Sequence, residues 1–375
     1  MRVLITGANG FIGKNFCQYL NEQKNIQVLC FNRENKIEEL PELLKDVDFV
    51  FHLAGVNRPQ DVSEFISGNI DFTRELCDAI AKEAQHSGQK IPVVFSSSSQ
   101  ATGSTPYSAS KRGAEDYLIK LNKEHGLPVY IYRLPNVFGK WCRPYYNSVV
   151  ATFCYSIARG LPIKINDADA KVTLVYIDDV VESFSQIFKR DKKVPDLEIF
   201  INIAPQYTYT VGGLARLIQA FKDSRINLKT EPVGSGFVRA LYSTYMSYLP
   251  SDLFAYEVPR YEDSRGFFVE MIKTADSGQF SYFTSHPGVT RGGHYHHTKT
   301  EKFLVIKGAA LFRFKNLETK ETCEIISNGG DGVIVETVPG WTHDVTNIGD
   351  DELICAIWAN EIFDRSKPDT FSCPI

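Results

Sequence analysis

Met1-Arg2-Val3-Leu4-Ile5-Thr6-Gly7-Ala8-Asn9-Gly10-Phe11-Ile12-Gly13 opens the chain and decides the fold of its first part. Val3–Thr6 reads as a short strand, and Gly13–Gln23 has apolar residues near helical spacing. A strand, a glycine turn and a helix in that order predict the first βα unit of a dinucleotide-binding fold. Gly7 permits a tight turn, Gly10 lets the backbone approach a pyrophosphate, and Gly13 lets the helix pack closely on the sheet. Around Phe11 and Ile12 the helix start offers unpaired N–H groups and a partial positive charge to phosphate.

Working outward, the same grammar continues to about residue 225. Apolar runs at Gln27–Phe31, Phe49–Leu53, Val93–Ser96 and Val129–Arg133 alternate with helical patterns at Ile70–Ala84 and Lys111–His125. That alternation predicts a doubly wound, mostly parallel sheet. After about residue 255 the helical pattern gives way to short strand-like runs. These are Phe267–Ile272, Phe280–Thr284, Phe303–Val305, Ala310–Phe314, Cys323–Ile326, Val333–Thr337 and Leu353–Trp358, punctuated by Gly, Asn, Asp and Pro. They predict a small antiparallel barrel or jelly roll. The expected division is 1–245 and 246–375.

Composition agrees with two soluble domains. The 375 residues are 43% hydrophobic and 23% charged, which excludes whole-chain disorder. With 41 Lys plus Arg against 45 Asp plus Glu, the net charge of −4 gives no global field for nucleic acid or a membrane surface. No apolar run approaches the roughly 18 residues of a bilayer span, and the first residues lack a signal-peptide pattern. A cytoplasmic protein with no nucleic-acid or membrane partner is expected. The eight cysteines contain no C-x-x-C pair, so neither a disulfide framework nor a thiolate zinc site is expected.

The cofactor is read from the end of the second strand, Phe31-Asn32-Arg33-Glu34. An acidic residue about 20 positions beyond the glycines would bind the ribose of NAD. Arg33 would instead pair with a 2′-phosphate, which favours NADPH, while Glu34 leaves NAD open. Asp48 is a candidate acceptor for the adenine amino group. Leu53-Ala54-Gly55 would let the cofactor pass the strand end, and His52 reads as structural. Phe95-Ser96-Ser97-Ser98-Ser99 precedes Tyr107-Ser108-Ala109-Ser110-Lys111. At i and i+4, Tyr107 and Lys111 share one helix face. A nearby ammonium favours the phenolate, so Tyr107 can exchange a proton with a carbonyl oxygen as hydride reaches its carbon.

These marks resemble the extended short-chain dehydrogenase/reductases of the nucleotide-sugar type, together with Arg133-Leu134-Pro135-Asn136-Val137-Phe138-Gly139 and Val175-Tyr176-Ile177-Asp178-Asp179-Val180. The resemblance covers residues 1 to about 240 and implies a Rossmann-type α/β domain. It implies Tyr107 as the acid, Lys111 as the residue that binds the nicotinamide ribose and tunes Tyr107, and Ser98 as the polarising hydroxyl. Gln100-Ala101-Thr102-Gly103 stands where the sugar epimerases and dehydratases often place a Tyr, which leans toward simple reduction. Arg143, Tyr145 and Asn147 lie where such proteins begin a substrate lobe, and read either as diphosphate or sugar contacts or as a surface loop.

Five of the eight histidines lie between 286 and 343. On a strand His294 and His296 point to one side, Glu301 would come from the adjoining strand, and His343 follows Val338-Pro339-Gly340. Three imidazoles and a carboxylate suit a divalent first-row metal such as Zn2+. The spacing resembles the two cupin motifs, with Val338 at a position usually held by Pro. Asp263-Ser264-Arg265-Gly266-Phe267-Phe268-Val269-Glu270 resembles the opening of the sugar-nucleotide 3,5-epimerase branch. That branch inverts carbons beside a 4-keto group, with His296 and His297 as candidate bases here and the metal either catalytic or structural.

The whole chain resembles the bifunctional capsular-polysaccharide enzymes of the UDP-N-acetyl-L-fucosamine pathway. Asn57-Arg58-Pro59, Gly139-Lys140-Trp141-Cys142, Leu241-Tyr242-Ser243-Thr244-Tyr245 and His296-His297-Thr298-Lys299 carry that resemblance. It implies C3 epimerisation of a UDP-2-acetamido-2,6-dideoxy-4-hexulose by the cupin domain, then NADPH reduction at C4 to UDP-2-acetamido-2,6-dideoxy-L-talose, in a homodimer. Two other readings stay open: a 4-ketoreductase whose cupin only scaffolds or dimerises, and a non-catalytic NADP-sensing protein.

Overall fold

The computed structural model describes residues 1–190 and 199–375. The opening stretch folds as read: β1 (Arg2–Thr6), the glycine turn, then α1 (Phe11–Asn21). There follow β2 (Gln27–Phe31), α2 (Leu40–Leu44), β3 (Phe49–His52), α3 (Phe72–Ser87), β4 (Val93–Ser98), α4 (Pro106–His125) and β5 (Val129–Leu134). The five strands form one parallel sheet in the order β2-β1-β3-β4-β5. The chain leaves β1 to one side for β2 and returns on the other for β3. That reversal makes the carboxyl end of β1 a topological switch point, where such sheets bind ligands. Strands β1, β3, β4 and β5 are buried on both faces, as a parallel sheet covered by helices requires, while the edge strand β2 is partly exposed. Leu4, Val50, Val93 and Ile131 pack with Leu76, Ile80 and Leu118 on one side. Val3, Ile5, Phe49 and Phe51 pack with Phe16 and Phe184 on the other.

Next come β6 (Asn136–Phe138), α5 (Val149–Ala158), β7 (Lys171–Tyr176), α6 (Ile177–Gln186), β8 (Tyr207–Thr210), α7 (Val211–Asn227), β9 (Lys229–Thr230) and α8 (Gly236–Met246). Strands β6, β7 and β8 make a small separate sheet.

The remaining strands are β10 (Arg260–Asp263), β11 (Gly266–Thr274), β12 (Gly278–Ser285), β13 (Thr290–Tyr295), β14 (Glu301–Lys307), β15 (Ala309–Asn316), β16 (Thr322–Asn328), β17 (Ile334–Glu336), β18 (Trp341–Asn347), β19 (Leu353–Ala359) and β20 (Phe371–Ser372). They form two sheets, β10-β11-β12-β19-β14-β17, with β9 pairing on β11, and β16-β15-β18-β13-β20. Phe283, Phe303, Phe312, Phe314, Val345 and Leu353 fill the space between them. This is the expected jelly roll, with β13 and β18 added to the strands read from apolar runs.

A single cut near residue 245 was expected. The compact units interleave instead: 1–216 with 240–249, and 217–239 with 250–375. Strand β9 belongs to the second unit because Lys229 and Thr230 pair with Lys273 and Thr274 of β11. A two-residue strand has too little apolar signal to announce that exchange in the sequence.

Candidate active site and metal centre

Two glycines shape the turn after β1. Gly7 has φ +71° and donates its N–H to the Phe31 carbonyl at 2.8 Å. A Cβ on Gly7 would lie 2.7 Å from the Ala54 backbone, and one on Gly13 would lie 2.2 Å from the Gly7 carbonyl oxygen. Leu53-Ala54-Gly55 therefore abuts the glycine turn, and Gly10, Phe11 and Ile12 start α1 beside it. This close-set cradle at the switch point fits a dinucleotide. Phe31 is in register with Thr6, so exposed Arg33 follows at the same sheet edge.

Asp48 is not part of this cradle. It precedes β3 at the opposite, amino edge of the sheet, where its carboxylate accepts the Arg2 N–H at 2.8 Å. Five residues of strand, roughly 16 Å, separate the two edges. The adenine assignment of Asp48 is therefore corrected: it pins the start of β1. His52 is structural, as read. It lies between the hydroxyls of Thr6 and Thr73 at 2.7 and 2.8 Å, and burial pushes its pKa down to about 3.

Ser98, Tyr107 and Lys111 come together beside the cradle. Thr105 caps α4 by accepting the Ser108 N–H, which sets Tyr107 in the first turn and Lys111 one turn later. Of the serine run, Ser96 and Ser97 turn inward, to the His52 carbonyl and to Glu115. Ser98 lies toward the Tyr107 hydroxyl, and its Oγ accepts the Gln100 N–H at 3.1 Å. Burial raises the Tyr107 pKa, and the neighbouring Ser98 hydroxyl opposes that rise. The ammonium of Lys111 is buried and donates to the Ser96 carbonyl at 3.0 Å. Burial lowers its pKa to about 8, against the pull of Glu115. Gly55 leaves room for the lysine: a Cβ there would lie 3.1 Å from Lys111 Nζ and 3.2 Å from Asn69 Oδ1.

Two supporting groups were missed in the sequence. Asn69 sits in a π-helical segment, Ile66–Asp71, and is buried. It accepts the Val56 N–H at 2.7 Å and donates to the Val56 carbonyl and Ser110 Oγ, tying the Gly55 loop to α4. Glu115 is buried and holds Arg133 at 3.0 and 2.6 Å. The π-bulge was the only available signal for Asn69, and a bulge leaves no mark in apolar periodicity.

In the candidate substrate loop, Trp141 and Tyr145 hold φ of +69° and +55°. Backbone strain of this kind clusters at functional sites. The Tyr145 hydroxyl is 2.7 Å from Ser156 on α5, so that side chain packs inward at its tip. Asn147 is exposed. Arg143 lies over the Tyr146 ring, as does Arg58, at 5.3 and 5.7 Å. Two guanidiniums against one ring make a cationic surface suited to a diphosphate.

The jelly roll assembles its four candidate ligands. His294, His296, Glu301 and His343 each offer one atom within 4.8 Å of the others. His294 is paired with His343 across β13 and β18, just after a bulge at Gly292 that turns the strand. Glu301 starts β14, in the facing sheet and not the adjoining strand that was expected. Both ring nitrogens of His343 are buried without a hydrogen-bond partner, and its Nε2 is 3.5 Å from Glu301. Burial pushes His294 down to about 4, so it is neutral with a lone pair to give. Burial works to raise the Glu301 pKa, but His296, His343 and Lys299 hold it below the carboxylate range. Orphaned imidazole nitrogens facing an ionised carboxylate fit a divalent cation such as Zn2+. His297 is exposed and packs on Phe371 at 4.9 Å, outside the cluster.

Cavities of about 170 and 430 Å³ open on His294 and Glu301. Arg265 lines both, Arg291 the first and Lys299 the second. One Arg291 nitrogen is buried without a partner. None of these three cations was singled out as lining a site from the sequence. No helix among the described residues is long and apolar enough to cross a membrane.

Residues 3–204 match the NAD dependent epimerase/dehydratase family, and residues 261–371 match the polysaccharide biosynthesis C-terminal domain. The chain is 55% identical over its full 375 residues to the UDP-2-acetamido-2,6-beta-L-arabino-hexul-4-ose reductase of Pseudomonas aeruginosa, covering 99% of that protein. It superposes on the capsular polysaccharide assembling protein CapF from Staphylococcus aureus with a TM-score of 0.90 and 40% identity, each chain fully covered. A UDP-glucuronic acid 4-epimerase from Bacillus cereus, at 19% identity and TM-score 0.55, shares the fold over 66% of this chain. The glycine cradle, the Ser98–Tyr107–Lys111 cluster and the matched spans lead to one assignment: the chain belongs to the NAD-dependent epimerase/dehydratase family, in the form that continues into a polysaccharide biosynthesis C-terminal domain.

Proposed function

We propose that this chain is a bifunctional UDP-sugar enzyme of capsular or other surface polysaccharide synthesis. The second domain epimerises C3 of UDP-2-acetamido-2,6-dideoxy-L-arabino-hexos-4-ulose. The first reduces the C4 ketone to UDP-2-acetamido-2,6-dideoxy-L-talose. The observation that carries the reading is Ser98, Tyr107 and Lys111 converging beside the dinucleotide cradle, in a chain 55% identical over its full length to a hexulose reductase.

NADPH, when bound, supplies the hydride that adds to C4. Tyr107 gives its phenolic proton to the ketone oxygen, Ser98 holds that oxygen, and Lys111 sits at the nicotinamide ribose. Arg143, with Arg58, meets the diphosphate. Zn2+, when held by His294, His296, Glu301 and His343, supplies Lewis acidity or fixes the barrel's geometry. Arg265, Arg291 and Lys299 would draw the anionic substrate into the adjoining cavities. His296 is a ligand in this reading and so cannot also serve as the C3 base, which leaves His297 as the remaining candidate of the two. Epimerisation comes first, because reduction removes the ketone that acidifies C3. A homodimer is part of the same proposal.

The test is NMR of the ketosugar incubated in D2O, with and without NADPH. Deuterium should enter C3 without NADPH, and the L-talo product should form with it. No exchange at C3 would remove the epimerase and leave the reductase. No NADPH consumption would remove the reductase.

Arg33 tests the cofactor. Losing charge-assisted bonds to a 2′-phosphate costs about 1.5–3 kcal/mol. The KM for NADPH should rise about 10- to 100-fold in Arg33→Ala, with the KM for NADH little changed. Equal effects on both cofactors would refute 2′-phosphate recognition by Arg33.

A further inference from the structure

We propose that Asp369 is a positioning residue of the His294, His296, Glu301 and His343 metal centre; the proposal rests on the reading that this cluster holds a divalent metal. Asp369 lies outside every motif read from the sequence, close before β20. Its two polar parts reach the metal loop differently.

The main-chain carbonyl of Asp369 accepts His296 Nδ1–H at 2.6 Å. That bond puts the proton on Nδ1 and leaves the Nε2 lone pair toward Glu301, 3.4 Å away. An outer-shell acceptor of this kind selects the tautomer and orients the ring of a metal-binding histidine. The carboxylate of Asp369 accepts three successive backbone N–H groups, from His297, Thr298 and Lys299, at 3.0, 2.9 and 2.8 Å. It also takes the Thr298 hydroxyl at 3.0 Å. Those residues form the turn between His296 and Glu301. One side chain therefore fixes the span that separates two ligands, and its own carbonyl fixes the tautomer of one of them. The backbone at Asp369 has φ +38°, in a region Asp and Asn tolerate better than most residues.

The segment around Asp369 is anchored without its carboxylate. His294 pairs with Ser372 and Tyr295 with Phe371. The Phe371 ring stacks on Tyr295 at 5.3 Å. The Cys373 N–H reaches the Gly293 carbonyl at 2.8 Å, and Lys299 Nζ donates to Thr370 Oγ1 at 2.9 Å. Removing the carboxylate should loosen the ligand turn while the strand pairing survives.

The test uses the full-length chain, Zn2+ as the probe and a chromophoric chelator in competition. Asp369→Ala should weaken zinc binding about 10- to 100-fold, the range for lost outer-shell partners. Asp369→Asn keeps one acceptor oxygen and the backbone tolerance, so it should fall between Ala and wild type. It also carries the test if the Ala variant does not fold. The absorption spectrum of the Co2+-loaded variants should shift from wild type, because ring orientation has changed. A purely structural role would lower the melting temperature of the metal-stripped protein and leave affinity and spectrum alone. Zinc affinity of both variants within twofold of wild type would overturn the proposal with the metal reading intact. A wild-type chain that binds no zinc would overturn both.

Discussion

Tyr107→Phe is expected to slow NADPH-dependent reduction of the ketosugar by about 10²- to 10⁴-fold, the usual worth of a positioned general acid. The ring stays, so NADPH affinity should shift only a few-fold. The phenol is half-buried near Ser98, on the face of α4 that also carries Lys111. Ser96 and Ser97 are turned elsewhere, to the His52 carbonyl and to Glu115. Stopped-flow oxidation of NADPH measures the loss, and a rate within tenfold of wild type would remove Tyr107 as the acid.

The same site should show a pH limb. Lys111 carries its charge below a pKa of about 8, so kcat/KM should fall as pH rises through about 8. Stability should move the other way. Its folded pKa lies below the ordinary lysine value of 10.5, so between about 8 and 10.5 the unfolded chain binds more protons. Stability from this group therefore rises with pH across that window. The shift corresponds to about 3 kcal/mol at neutral pH, a cost that the rest of the fold offsets.

The second large effect is expected from His294→Ala. It deletes one of four ligands and leaves His296, Glu301 and His343 to hold the ion. Zinc affinity should fall by more than about 100-fold, beyond what losing an outer-shell partner costs. Metal content per chain after dialysis should fall with it. If the ion polarises the ketone, deuterium entry at C3 falls in parallel; if it is structural, exchange persists in whatever fraction stays folded. Unchanged metal content would refute the site. The geometry makes His294 a sharp choice. It follows the Gly292 bulge and faces His343 across the strand pair, with the two rings 4.7 Å apart.

The two sites differed in how much of them could be read from the chain. Gly7, Gly13, Tyr107 and Lys111 were legible as candidates because their pattern is local: a turn and one helix face within a few residues. Asp48 misled because sequence distance to a strand does not tell which edge of the sheet a flanking residue occupies. In the jelly roll, β13 and β18 were not among the strands read from apolar runs, although they carry His294 and His343. Their sequences, Thr290-Arg291-Gly292-Gly293-His294-Tyr295 and Trp341-Thr342-His343-Asp344-Val345-Thr346-Asn347, spend inward positions on glycine and histidine where a core strand has valine or leucine. Function erased the apolar signal there.

By itself the sequence determined the succession of a parallel α/β domain and a β jelly roll, and it marked a candidate acid, its candidate lysine and four candidate ligands. The succession follows from periodicity, a property of neighbours along the chain, and the candidates follow from spacing together with family resemblance. Tertiary structure alone decided what depends on distant pairs. It moved β9 into the second unit, put Glu301 in the sheet facing its histidines, and turned Ser98 rather than Ser96 or Ser97 toward Tyr107. It also brought Asp369 back across 72 residues to the His297 amide. Contacts of that range are set by packing and hydrogen-bond satisfaction in three dimensions, and no local pattern encodes them.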